Sequence, residues 1–159
     1  MEVIKKKPAI KKRIKPVVSA KERKPLVRDI MGNIEKWSVQ QKIDIIKAGV
    51  SKTELEEVKK QTGLDYEMLS HILSVTKATL HNKKGNEKFS ALVSDRVLLL
   101  ADIYAYGIEV FGEKERFNRW LVSKIRALGD RRPIDYLQTL HGMQEIKHLI
   151  GRIDYGVYS

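Results

Sequence analysis

Six residues close together carry side chains that can do chemistry on a nucleic acid: Lys77, Thr79, His81, Asn82, Lys83 and Lys84. Hydroxyl, imidazole and amide groups match the hydrogen-bonding edges of bases, and an asparagine can take adenine through both of its amide atoms. Lysine ammonium groups neutralise phosphates and release the counterions held there. The spacing divides the work. Lys77, Thr79, His81 and Asn82 are expected at base edges, and Lys83 and Lys84 at the backbone.

Chemistry on a base edge needs a rigid carrier, and residues 69–85, LSHILSVTKATLHNKKG, read as a helix, a tight turn and a second helix. Leu69, Ile72 and Leu73 give the first helix one apolar face. Ser70 is small where the second helix approaches. Ser74 and Val75 make the turn, with Val75 as an apolar plug. Thr76 can cap the second helix, Leu80 is its buried anchor, and Gly85 suits the left-handed residue past a helix end. Such a helix–turn–helix reads a major groove, but the same motif is also an ordinary packing unit of helical proteins.

Other chemistries find little support. The four histidines, His71, His81, His141 and His148, form no metal-ligand motif, and the chain has no cysteine. His141 and His148 can share a helix face, but two such histidines are more often simply exposed. No nucleophile elbow, phosphate-binding loop or dinucleotide fingerprint occurs. No catalytic residue, metal or cofactor is expected. The longest apolar run, 97–101, is far too short to span a membrane, and the basic N-terminus lacks the apolar core of a secretory signal. A cytoplasmic protein is expected.

The net charge of +11 over 159 residues is unevenly spread. Residues 1–25 hold ten Lys/Arg against two Glu, whereas 26–85 hold ten against eight and 86–159 eleven against ten. The segment 1–25, with three prolines and no sustained period, reads as a disordered basic arm for an anionic partner such as DNA. A solvated leader that only aids solubility is the other reading.

Residues 26–37 read as a loop or short helix. Beyond them, start and stop signals follow one another. Ser38 caps a helix whose apolar face is Ile43 and Ile46 and which Gly49 closes. Ser51 and Glu54 form a capping box ahead of Leu55 and Val58, and Gly63 ends that helix. Asp65 caps the first helix of the motif, and residues 86–88 connect it onward. Ser90 starts a long helix with a stripe of Val97, Ala101, Tyr104, Ile108 and Phe111, leaving Arg96, Asp102 and Glu109 outside. Gly112 ends it. Phe117, Trp120 and Leu121 face a core from the next helix, with Trp120 as a largely buried anchor. Pro133 suits a first helical turn, Ile134 and Leu137 dock it, and Thr139 caps a last helix with Met143, Ile146, Ile150 and Ile153 inward. Residues 155–159, YGVYS, are apolar and aromatic, unlike a free polar end. With no strand alternation, the fold is expected to be all-α, with two helical subdomains joined by the helix from about Ser90 to Phe111.

The second half carries several short motifs in order. They are Phe111-Gly112, Trp120-Leu121, Leu128-Gly129 with Arg132-Pro133-Ile134, Thr139 with Gly142, and Gly151-Arg152-Ile153-Asp154-Tyr155-Gly156-Val157-Tyr158. This half resembles the toxin-binding domain of the Xre/MbcA/ParS antitoxins. The helix–turn–helix at 66–85, followed by DRVLLLADIY at 95–104, resembles the N-terminal half of that family, so the likeness covers roughly residues 38–159. Ser74 and Asp130 depart from it where glycine is more usual, as does the basic arm.

The resemblance implies a helix–turn–helix DNA-binding domain over 26–88 and a small helical toxin-binding domain over 89–159. It implies an antitoxin of a type II toxin–antitoxin pair that binds and inhibits a RES-type, NAD-consuming toxin and represses their shared operon. It places Tyr155, Gly156, Val157, Tyr158 and Ser159 at the toxin, with Arg131, Arg132 and Arg152 as further contacts. A homodimer on a two-fold operator is expected, because one helix covers few base pairs. The alternative is a free-standing regulator whose C-terminal half only dimerises.

Overall fold

In the computed structural model, residues 34–156 are described. The arm 1–25 and residues 157–159 lie outside them. Among these residues eight α-helices follow one another: α1 Val39–Ala48, α2 Lys52–Thr62, α3 Tyr66–Leu73, α4 Lys77–Asn82, α5 Ala91–Phe111, α6 Lys114–Val122, α7 Pro133–Tyr136 and α8 Leu140–Asp154. Single 3-10 turns occupy Ile34–Lys36 and Arg126–Leu128. The described residues contain no strand, only isolated bridges between Ser51 and Lys88 and between Ile125 and Arg131.

Local chemistry sets most of the helix starts. The side chains of Ser38, Ser51, Asp65, Thr76, Ser90 and Thr139 each accept the backbone N–H three residues on, relieving donors that have no partner within the helix. Pro133 occupies the first turn of α7. Gly112 ends α5 with a left-handed backbone.

The 21-residue α5 is the spine. It touches α1, α2 and α3 on one side of the sequence and α6 and α8 on the other. Val97, Leu100, Ala101 and Tyr104 along it are buried, whereas Ile108 and Phe111 near its end are half-buried. Leu55, Val58, Leu69, Ile72 and Leu80 from the first half and Phe117, Leu121, Leu137, Met143, Ile146 and Ile150 from the second join α5 residues in one continuous core.

Several sequence expectations are corrected. In α1, Ile45 and Ile46 pack inward while Ile43 is exposed, and no residue of that helix is fully buried. Trp120 is only half-buried: it covers Phe117, whose ring is fully enclosed, at 5.8 Å. Phe117 takes the central place because Gly107 opens a slot for its ring on α5; a Cβ there would lie 2.4 Å from it. Asp102 is buried rather than set on a wet face, paired with Lys42 of α1 at 3.6 Å and with Lys147 of α8.

Gly85 has a positive φ of 51°, but α4 ends three residues earlier, at Asn82. The chain leaves the helix there so that the Gly85 carbonyl can accept both the N–H and the hydroxyl of Thr53, at 2.9 Å each. Glu87 accepts from the N–H of Lys52, and Phe89 donates to Val50. The connector 83–89 is therefore strapped across the start of α2, with Phe89 buried beneath it.

Candidate nucleic-acid and toxin interfaces

Helix α3, the turn and α4 have the form the sequence predicts. Leu69, Ile72 and Leu73 are buried on α3, and Leu80 on α4 has no exposed surface. Ser74 closes α3 in a left-handed conformation, φ 53° and ψ 46°. Val75 donates its N–H to Ser70 at 3.0 Å, and its side chain is half-buried, so the plug is partial.

The outer face of α4 presents Lys77, Thr79, His81 and Asn82, all exposed. Lys83 and Lys84, expected on the helix, instead follow its end. Their environments differ. Lys77 is ion-paired with Glu67 of α3. The hydrogen bond that Lys77 donates holds the Glu67 carboxyl below its ordinary range. The Thr79 hydroxyl meets that of Thr76 at 2.9 Å. The His81 ring packs on Tyr66, centroids 4.3 Å apart. Lys83 reaches over the Phe89 ring at 5.5 Å. Among the described residues, no side-chain hydrogen bond involves Asn82, so its amide faces solvent uncommitted.

Sequence reasoning missed the polar cluster behind this face. The Lys52 ammonium bonds to the Tyr66 hydroxyl and to the Leu80 carbonyl, each at 2.6 Å, and pairs with Glu56 at 2.5 Å. Tyr66 donates to the same Glu56 carboxylate. Burial works against the Lys52 charge, yet the bonds to Glu56 and Tyr66 outweigh it and hold the ammonium above its ordinary value. Burial likewise opposes Glu56, but the bonds from Lys52 and Tyr66 keep its carboxyl below the usual range. Burial and the bond to Glu56 push the Tyr66 hydroxyl up. No local sequence pattern announces this cluster, because its members come from three helices.

The second set of predicted contacts falls into two places. Arg131 and Arg132 lie on the exposed turn before α7, where Arg132 grips Asp135 through two bonds of 3.0 and 2.7 Å. That pairing raises the Arg132 guanidinium further. Within the turn Asp130 has a φ of 59°, a backbone that glycine takes more easily. Arg152 lies at the far end of α8, 3.5 Å from Glu145, and Tyr155 follows it, 83% exposed. Gly156 has φ 68°. Val157, Tyr158 and Ser159 are outside the described residues. Helix α8 runs 15 residues between the two places, roughly 22 Å at 1.5 Å per residue. Among the described residues no hydrogen bond or ion pair joins them.

The arginine turn instead faces the helix–turn–helix. A cleft of ≈ 220 Å³ separates Met68 and His71 of α3 from Val122, Arg132 and Asp135. Arg96 on α5 spans the same seam, donating from one nitrogen to the carbonyls of Ile72 and Gln138, both at 3.1 Å. Among the described residues, no group of three or more His, Asp or Glu is placed to hold a metal ion. No helix there is long and apolar enough to cross a membrane.

Comparison with known proteins matches both halves. Residues 107–156 fit the model of the antitoxin Xre/MbcA/ParS C-terminal toxin-binding domain. Residues 41–102 fit that of the antitoxin Xre-like helix-turn-helix domain. The chain is 33% identical over 76 residues to the antitoxin Xre of Photorhabdus laumondii, a match covering 47% of this chain and 51%, about half, of that protein. It is 30% identical over 128 residues to a Prs ADP-ribosylating antitoxin of a Sphingobium species, covering 74% of this chain and 80% of the relative. It is 24% identical over 119 residues to the antitoxin Xre of Yersinia enterocolitica, with the same 74% and 80% coverage. An all-helical body that carries the helix–turn–helix and the toxin-binding domain on one spine, and matches such a relative over most of both chains, belongs to the Xre/MbcA/ParS antitoxin family.

Proposed function

We propose that the chain is the antitoxin of a type II toxin–antitoxin pair, inhibiting a RES-type, NAD-consuming toxin by direct binding and repressing its own operon through the promoter. The observation that carries this reading is the joining, through α5, of a polar helix face to a toxin-binding domain. The Sphingobium relative is named for ADP-ribosylation of Prs. ADP-ribosyl transfer draws on NAD, which supports an NAD-consuming partner here. The protein works by binding and needs no catalytic site or cofactor, and it acts in the cytoplasm.

On DNA, Lys77, Thr79, His81 and Asn82 approach base edges. Lys83, Lys84 and the basic segment 1–25 contact phosphates. A homodimer places two such helices on a two-fold operator. Toward the toxin, Tyr155, Gly156, Val157, Tyr158 and Ser159 enter its active site, and Arg131, Arg132 and Arg152 add contacts. Exposure of Tyr155 just past the last helix supports this assignment, because a bare aromatic ring gains from burial against a partner.

Co-expression with the neighbouring gene product tests the reading. The two proteins should co-elute on size exclusion, and cells should survive the toxin only when the full chain is present. A chain ending at Asp154 should stay helical and retain promoter binding but lose protection. Full protection by that shortened chain would remove 155–159 from the mechanism, and failure to co-elute would remove the toxin pairing.

A further inference from the structure

The six-residue α4 is too short to hold its own shape, since an isolated helix of this length does not persist in water. Its first turn is secured by Thr76. Its last turn has no glycine cap, because Lys83 continues in an extended conformation, and the carbonyls there lack partners within the helix. One of them, Leu80, is met by the Lys52 ammonium at 2.6 Å.

Lys52 is an unexpected residue for its position. It opens α2, where the positive end of the helix dipole disfavours a cation, and its side chain is only 11% exposed. Its one local partner, Glu56 a turn further on, does not by itself account for so buried a lysine. The tertiary setting does. Its three N–H donors are matched by three acceptors: Glu56 of its own helix, the Tyr66 hydroxyl of α3 and the Leu80 carbonyl of α4. The Tyr66 ring in turn backs His81 on the outer face of α4. A single ammonium thus ties α2 to both helices of the helix–turn–helix from behind.

We propose that Lys52 is a positioning residue for DNA reading, setting the pitch of α4 through the Leu80 carbonyl and the rotation of His81 through Tyr66. It touches no base and no phosphate, and it determines sequence preference by fixing where Thr79, His81 and Asn82 point. This inference rests on the DNA-binding reading given above.

The test compares the full chain with its Lys52→Met and Tyr66→Phe variants in two measurements. The first is hydrogen exchange of the α4 backbone amides in the free protein. The second is affinity for the chain's own promoter fragment against a shuffled fragment of equal length. In Lys52→Met, α4 amides should exchange about tenfold faster, the loss expected for one hydrogen bond to a charged group, while α5 amides keep their rates. The promoter-to-shuffled affinity ratio should fall about fivefold or more, with shuffled-fragment binding unchanged, since base-edge geometry and not phosphate contact is disturbed. Tyr66→Phe should move both readouts the same way by about twofold, a smaller effect because the hydroxyl's bonds to Lys52 and Glu56 are lost while the Lys52 bond to the Leu80 carbonyl remains.

Unchanged α4 exchange and an unchanged ratio in Lys52→Met would overturn the proposal. An equal fall on both fragments would too, because that marks a lost charge and not a displaced helix. If Lys52→Met loses its helical circular dichroism, Tyr66→Phe decides alone, and an unaltered ratio there overturns the proposal. If the parent chain shows no preference for its promoter, the DNA-binding reading fails by itself. The exchange of α4 then still reports whether Lys52 holds that helix.

Discussion

Ser74 holds a left-handed backbone at the hinge of the helix–turn–helix, a conformation that costs a non-glycine residue about 1–2 kcal/mol. Replacing Ser74 by glycine should stabilise the protein by about 1 kcal/mol, once the greater chain entropy of glycine is set against the relieved strain. A branched residue such as valine there should destabilise it. Denaturant midpoints would show both effects, and a destabilised Ser74→Gly protein would contradict the strain. Asp130 occupies the same backbone region, which aspartate tolerates better than most residues. At α4, Asn82 offers the amide least committed within the protein. Its change to alanine should alter which bases are preferred, at about 1–3 kcal/mol for a bidentate base contact. Selection from a randomised operator pool would reveal that shift, and an unaltered consensus would move Asn82 off the groove floor. The caps at Ser38, Ser51, Asp65, Thr76, Ser90 and Thr139 were all legible in the sequence, because a cap and its target lie three residues apart. Lys52 and Asp102 were not. Partners that hold them, the Leu80 carbonyl and Lys147, lie 28 and 45 residues along the chain, and a charged residue in a helical pattern reads as solvated.

At the scale of elements, helix existence and order could be read from periodicity, but the depth of each side chain could not. Trp120 and Phe117 lie on the same face of α6, and the larger ring would be expected to go deeper. The space decides otherwise: Gly107 on α5 admits the Phe117 ring, and Trp120 lies over it, half-buried. Tyr104 meets the same Phe117 ring edge-on at 5.1 Å, and burial pushes the Tyr104 hydroxyl well above its ordinary value, so it remains neutral. Phe117→Ala should therefore cost about 3–5 kcal/mol, as for a fully enclosed aromatic. Trp120→Ala should cost clearly less, because part of its ring already meets water. Urea unfolding of the two variants gives the order directly. A Trp120→Ala protein weaker than Phe117→Ala would show that the stacked indole, not the slot on α5, holds α6 in place. The strap at 83–89 was equally hidden. Its polar sequence reads as a loose connector, and only the backbone of α2 reveals why Gly85 and Glu87 are held.

At the scale of the molecule, the two functional halves share one interior. Leu55, Val58, Leu69 and Ile72 pack into the same cluster as Phe117, Leu121, Met143 and Ile146, with α5 between them. Polar bonds cross the same seam. Arg96 holds the carbonyl of Ile72 on α3 and that of Gln138 ahead of α8. Asn118 of α6 donates to the Thr62 carbonyl at the end of α2 at 3.0 Å and accepts from the Tyr104 hydroxyl at 2.9 Å. Two halves so joined lose their cores together, because melting either one exposes the apolar face of α5 to water. Residues 34–156 should therefore unfold as one cooperative unit, as small single domains do. Calorimetry of the full chain should give a single transition whose calorimetric and van't Hoff enthalpies agree. A fragment of residues 26–88, which lacks α5, should show little helix on its own, since α1, α2 and α3 all rest on that helix. Two resolved transitions, or a stably helical 26–88 fragment, would mean that the seam is an interface between independent bodies. With one transition, Arg96 and the shared core tie the second half to α3 as parts of one folded body.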